Sequence, residues 1–175
     1  MNEYNIRRGV PYGNSVVIKN GIVPTPKELC SNKPTDKIRL IYHTTPHRGL
    51  NILIHVFNEL CKVHDDIELD VYASFAIYGW GERDKEYEDV LNFCKEHPKI
   101  NYHGSVPNSE IRQALNKAHI FAYPSIWKET SCIALMAAMS SNVLCIHPNL
   151  AALPETSGGM TSMYQWHEDP NIHAN

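Results

Sequence analysis

From residue 38 onward, short apolar runs alternate with helix-patterned segments, and this alternation constrains the fold more than any other feature of the chain. Strand-like runs occur at Ile38 to His43, Glu68 to Tyr72, Ile100 to His103, Ile120 to Tyr123 and Val143 to His147. Phe75 to Tyr78 fits a further short strand. Between these runs, apolar residues recur three and four apart. Leu50, Leu53, Phe57 and Leu60 mark one face of a helix over Leu50 to Val63. Tyr87, Val90, Leu91 and Cys94 do the same over Asp84 to His97. Ile111 and Leu115 mark a helix over Asn108 to Lys117, capped by Asn108 or Ser109. The apolar stretch from Ser131 to Met139 reads as a buried helix. Strand–helix alternation of this kind predicts an α/β fold, a doubly wound, Rossmann-like parallel sheet of five or six strands. Such sheets bind ligands beyond the carboxyl ends of their strands. Functional residues are therefore expected in the loops Thr44 to Gly49, Gly79 to Asp84, Gly104 to Asn108, Ser125 to Ser131 and Pro148 to Glu155.

The bulk properties exclude several function classes. With 175 residues the chain has enough material for one domain with a real core. Residues 1–37 read as a strand at Ser15 to Lys19, a turn and a linker, and residues 38–175 as the domain itself. The net charge of −3, without a run of Lys or Arg, argues against nucleic acid as a partner. No apolar run is long enough for an integral membrane segment, and the first residues hold no apolar signal core, so a cytoplasmic protein is expected. The five cysteines are scattered without a CxxC pair and read as buried thiols in a reducing compartment. No HExxH pair occurs among the ten histidines, and no metal site is expected.

The stretch Tyr123 to Ser140, YPSIWKETSCIALMAAMS, carries the chemistry. It places Lys128-Glu129-Thr130-Ser131 between a buried strand and a buried helix. A helix start offers unpaired N–H groups and a positive dipole end, which suit phosphate. The plainer reading makes Thr130 or Ser131 an N-cap and nothing more. The same stretch resembles the donor-site signature of the group 1 (family 4) retaining glycosyltransferases of GT-B fold. Pro124-Ser125, Glu129 and the apolar helix through Ala138-Met139 match that pattern. The pattern's second Glu, eight residues after the first, is replaced by Ala137. Other segments resemble the family in the family's order: Val16 to Ile22, Pro46 to Leu50, Ile77 to Gly81, Ile100 to Val106 and Leu153 to Glu155.

The resemblance implies the C-terminal, donor-binding half of an enzyme that moves a sugar from a nucleotide-diphosphate sugar to an acceptor with retention of configuration. It implies a partner as well, an N-terminal acceptor domain supplied in cis or in trans. On this reading the chain is a fragment that stops before the family's closing helices and is inactive by itself. Glu129 takes the catalytic position and accepts hydrogen bonds from sugar hydroxyls. Arg48 clamps phosphate through its guanidinium fork, and Gly49 lets the backbone come close. The main-chain N–H groups of Thr130, Ser131 and Cys132 face the diphosphate, and the turn His103 to Val106 contacts the base. Glu155 helps close the site. The donor is a substrate, and neither cofactor nor metal is expected. Ala137 cannot accept hydrogen bonds from ribose, which favours an alternative: a degenerate, non-catalytic nucleotide-binding or interaction module. A nicotinamide-cofactor site is disfavoured, because Gly79-Trp80-Gly81 is followed by Asp84 where a third glycine is needed. His43 and His47 flank the first loop and read as structural.

Overall fold

The computed structural model describes residues 6–174 apart from 15 and 17. Among the described residues, the α-helices from Lys27 onward are α1 (Lys27–Cys30), α2 (Leu50–Leu60), α3 (Glu88–Glu96), α4 (Asn108–Lys117), α5 (Ile133–Ser140), α6 (Leu153–Ser157) and α7 (Pro170–Ala174). The strands are β1 (Ile38–Tyr42), β2 (Ile67–Val71), β3 (Ile100–Tyr102), β4 (Ile120–Ala122), β5 (Leu144–Pro148) and β6 (Ser162–Tyr164). They form one parallel sheet in the order β3-β2-β1-β4-β5-β6. The order reverses between β1 and β4, so the crevice between their carboxyl ends is where such a sheet holds a ligand.

Burial follows position in the sheet. Leu40, Ile41 and Tyr42 of β1 are all buried, as expected for a central parallel strand covered on both faces. β2, one place nearer the edge, alternates: Ile67, Leu69 and Val71 point into the core while Glu68 and Asp70 look outward. Glu68 there takes an ion pair from Arg39 Nε at 2.7 Å. α2 buries Leu50, Ile52, Leu53, Ile54 and Phe57, a wide stripe covered by the sheet and by α7. Leu60, expected on that stripe, is 37% exposed because α2 ends there.

Several expected elements differ. Phe75–Tyr78 is a 3-10 turn, not a strand. Ser74 Oγ accepts from Ala76 N at 2.9 Å, Asp84 accepts from Phe75 N at 2.8 Å, and Gly79 ends the turn at φ 76. These side-chain bonds outcompete strand pairing. Because Asp84 is committed to them, residues Gly81–Tyr87 form a second 3-10 segment and α3 starts at Glu88 rather than Asp84. The sixth strand is Ser162–Tyr164, which pairs with β5. The strand expected at Ser15 to Lys19 falls partly outside the described residues, and described Val16, Ile18 and Lys19 are not in a strand.

The segment before β1 is fastened to the domain. Thr25 N donates to Ser140 Oγ at 2.7 Å, and Thr25 Oγ1 meets Ser141 Oγ at 2.9 Å. Lys33 Nζ donates to three carbonyls, those of Leu115 (3.2 Å), Ala118 and Ser141 (3.1 Å). These acceptors sit where α4 and α5 end, so one ammonium serves the negative ends of two helices. Removing it leaves the carbonyls with fewer donors. Lys33→Met is expected to lower the unfolding free energy by about 2 kcal/mol, read from the urea midpoint at unchanged m-value.

Candidate functional site

A cleft of about 480 Å³ opens beyond the carboxyl ends of β1 to β4. Its floor comes from the loop after β1 (His43, Thr44, Thr45, Arg48), and one wall from Glu129 to Ala134 at the start of α5. The loops after β2 and β3 and one side of α4 complete it. The central contact joins the loops on either side of the switch point. Arg48 Nη1 donates to Glu129 Oε1 at 2.5 Å, and the Tyr123 hydroxyl donates to the same oxygen at 2.6 Å. Glu129 is only 7% exposed. Among the described residues its other oxygen has no hydrogen-bond partner. Burial is the largest influence on Arg48 and acts to lower its pKa, but the Glu129 carboxylate together with Tyr123 and Tyr78 outweighs it, and the guanidinium is held above its ordinary value. Burial pushes the Tyr123 phenol up, keeping it a hydrogen-bond donor.

The backbone beneath this pair is equally constrained. Gly49 has φ 117, a conformation costly for any residue with a side chain. A Cβ there would stand 2.1 Å from the Pro124 carbonyl oxygen. The expected close approach at Gly49 is thus to the neighbouring loop, and it brings Arg48 within reach of Glu129. Main-chain atoms cannot yield as a flexible side chain does. Gly49→Ala is expected to cost about 3 kcal/mol or more in a urea melt.

The other expected residues are placed as follows. Val106, Thr130, Ser131 and Cys132 line the same cleft as Arg48 and Glu129. α5 begins at Ile133 with Cys132 in the N-cap position, and no side chain caps it. Neither Thr130 nor Ser131 is therefore the cap, and their main-chain N–H groups have no partner among the described residues. Burial pushes the Cys132 thiol up to about 11, against the opposing pull of the Leu135 main chain. Ala137 faces the cleft. One turn further along α5 stands the Thr25–Ser141 hydroxyl pair, which also lines it. Glu155 does not close the site: it lies on the surface and pairs with Lys19 at 2.8 Å.

Sequence reasoning named the loop after β1 but took only Arg48 and Gly49 from it as ligand contacts, reading His43 and His47 as structural and giving Thr44 and Thr45 no role. His43 Nε2, Thr44 Oγ1, Thr45 Oγ1, His47 Nδ1 and Arg48 Nε are all buried without a hydrogen-bond partner. A run of polar residues directly after the apolar centre of β1 was the available signal. His43 packs on Phe121 with ring centroids 4.7 Å apart, and His47 stacks on Phe75 at 5.2 Å and meets Trp127 edge-on at 4.8 Å. The two histidines are four residues apart, but among the described residues no cluster of three His, Cys, Asp or Glu could hold a metal. Nor is any described helix long and apolar enough to cross a membrane.

Burial lowers both histidines to about 4; for His47, Arg48 and Arg83 add to the effect. A folded pKa below the unfolded value of about 6.5 means that the unfolded chain binds more protons between the two. Stability is therefore full above about pH 6.5 and falls as the pH drops toward 4. The urea midpoint should decline steadily through that window, and His43→Phe should make the decline shallower.

The family model for "Glycosyl transferases group 1" matches residues 39–171. The chain belongs to the group 1 glycosyltransferases. One similar protein is a phosphatidylinositol N-acetylglucosaminyltransferase component from Arabidopsis thaliana, 24% identical over 157 residues. That alignment covers 86% of this glycosyltransferase chain and 33% of the relative, so the chain spans about a third of the relative's length. Among solved structures, a glycosyltransferase from Rickettsia africae ESF-5 superposes with a TM-score of 0.70 at 16% identity. It covers 99% of this chain and 48% of that one. The pneumococcal O-GlcNAc transferase GtfA, solved with UDP and GlcNAc, superposes with a TM-score of 0.59 at 16% identity, covering 82% and 28%. The six-stranded parallel sheet is thus the Rossmann-like fold of one half of a GT-B glycosyltransferase.

Proposed function

We propose that this domain binds the donor of a retaining glycosyl transfer, a UDP-sugar of the UDP-N-acetylglucosamine class. The observation that carries the reading is the Arg48–Glu129 pair at the β1/β4 switch point, set against the start of α5. The names of the relatives support the sugar and the nucleotide. One is called an N-acetylglucosaminyltransferase, and GtfA was solved with UDP and GlcNAc.

In this reading the diphosphate lies between Arg48 and the free N–H groups of Thr130 and Ser131. Negative charge accumulates on the pyrophosphate as the glycosidic bond breaks, and a guanidinium fixed beside it stabilises the leaving group. The unpartnered Glu129 oxygen accepts from a sugar hydroxyl, while Tyr123 keeps the carboxylate oriented. The turn holding Gly104, Ser105 and Val106 offers main-chain groups to the base. The remaining acceptor-binding parts belong to a second domain, in the same chain or another. A second reading is favoured by Ala137, which gives the cleft a methyl group where a ribose needs an acceptor. There the domain is a non-catalytic nucleotide-binding or interaction module.

Calorimetry against UDP and UDP-N-acetylglucosamine separates these readings from no binding at all. Losing a charge-assisted hydrogen bond costs about 1.5–3 kcal/mol, or roughly tenfold to a hundredfold in affinity. Arg48→Ala is expected to weaken both ligands by that much, and Glu129→Ala to weaken the sugar nucleotide more than UDP. Absence of saturable binding by the folded wild-type chain would overturn the donor-site reading. Sugar transfer restored by adding the N-terminal half of a relative would exclude the non-catalytic one.

A further inference from the structure

Beside the cleft, and outside it, two aromatic side chains form a fixed corner. Trp127, in the loop after β4, meets His47, in the loop after β1, edge-on with ring centroids 4.8 Å apart. Neither residue lines the cleft, although their close neighbours Arg48 and Glu129 do. His47 is stacked on Phe75, which is 1% exposed, so its ring is anchored. The Trp127 main chain is held as firmly: its N–H donates to Ser125 Oγ at 3.2 Å, and its carbonyl accepts from Glu129 N at 3.0 Å. The indole itself is 49% exposed, and among the described residues no other ring packs against it. Trp127 Nε1 and His47 Nε2 have no hydrogen-bond partner among the described residues. A single apolar residue on a surface needs no explanation. An indole held open by two anchored loops, with free polar atoms at its perimeter, is a built surface.

We propose that Trp127 and His47 form a platform for a second ring, a cyclic polyol belonging to the acceptor, apart from the donor site. The chemistry of the corner selects that class. A pyranose or cyclitol carries C–H groups on its faces and hydroxyls around its rim. The indole face offers apolar area to the C–H groups. The Trp127 N–H and the His47 nitrogen stand at the rim for the hydroxyls. A hydroxyl both donates and accepts, so either protonation state of that nitrogen serves. An acyl chain would leave both nitrogens unpaired, and a phosphate is better served by Arg48 and the start of α5. Position gives the ring its role. The Trp127 carbonyl is bonded to the main chain of Glu129, and in the donor-site reading, on which the word acceptor rests, Glu129 meets the transferred sugar. A ring on Trp127 therefore lies next to the sugar end of the cleft, where an acceptor has to stand.

Proton–nitrogen NMR of the chain tests this through its three tryptophan indole N–H signals, that of Trp127 being the one lost in Trp127→Leu. Methyl glucopyranoside, myo-inositol and open-chain sorbitol are titrated in turn, each with and without excess UDP. The expected result is a Trp127 signal that moves saturably with the two cyclic polyols, little with sorbitol, and equally with UDP present. Binding of the cyclic polyols, read on the ligand by saturation transfer, should weaken about fivefold in Trp127→Leu and be largely kept in Trp127→Phe, which retains a ring. UDP affinity should change less than about twofold in both variants, because Trp127 lies outside the cleft. A response to the cyclic polyols without any binding of UDP would sustain the platform and overturn the donor-site reading. Binding of UDP with a Trp127 signal that no polyol moves would overturn the platform alone. A response equal with sorbitol, or one abolished by UDP, would also overturn it. So would a signal moved by phosphatidylcholine vesicles and not by the cyclic polyols, which would assign the indole to a membrane surface.

Discussion

One carboxylate holds the cleft together. Glu129 Oε1 accepts from Arg48 in the loop after β1 and from Tyr123 at the end of β4, so a single oxygen ties the two strands flanking the switch point. Arg48 and Glu129 are 81 positions apart in sequence. The tie depends on Gly49, whose missing Cβ lets the first loop lie against the Pro124 carbonyl. The Glu129 main chain also accepts from Ala152 N at 3.2 Å, which attaches the loop after β5 to the same point. Three loops therefore share one anchor, and the cleft walls inherit their positions from it.

The electrostatics follow from this pairing. A buried guanidinium or carboxylate alone would be costly, and either would bias the cleft toward one sign. Paired, the two charges offset each other within the cleft. In the proposed donor complex a diphosphate would compete with Glu129 for Arg48, and the released carboxylate oxygen would accept from hydroxyl groups. No side chain caps α5, so the N–H groups at its start have no side-chain partner there.

Much of the fold was legible because the central strands carry short apolar runs, such as Leu40 to Tyr42 and Ile120 to Ala122, set between helix-patterned segments. The sheet's edge was not. Ser162–Tyr164 has three residues, two of them exposed, and neither alternation nor an apolar run marks it as a strand. The Phe75 run looked like a strand because its decisive partner, Asp84, is nine positions away and acts through a side chain. The site was legible as a set of loops, since the topology fixes which loops meet. That Arg48 and Glu129 bond to each other was not, because a motif assigns each residue a role toward a ligand and says nothing of its partner in the empty protein. His43 and its two threonines escaped for a related reason: the unsatisfied state of a buried atom exists only in three dimensions.

The exchange of Arg48 between Glu129 and a ligand is the centre of this account, and a crystal structure of the chain with UDP-N-acetylglucosamine tests it most directly. The expected result is a diphosphate contacted by Arg48 and the main chain at Thr130 and Ser131, with Glu129 freed to meet the sugar. A nucleotide bound elsewhere, or one bound in the cleft with the Arg48–Glu129 pair unchanged and the phosphates out of reach of Arg48, would contradict it.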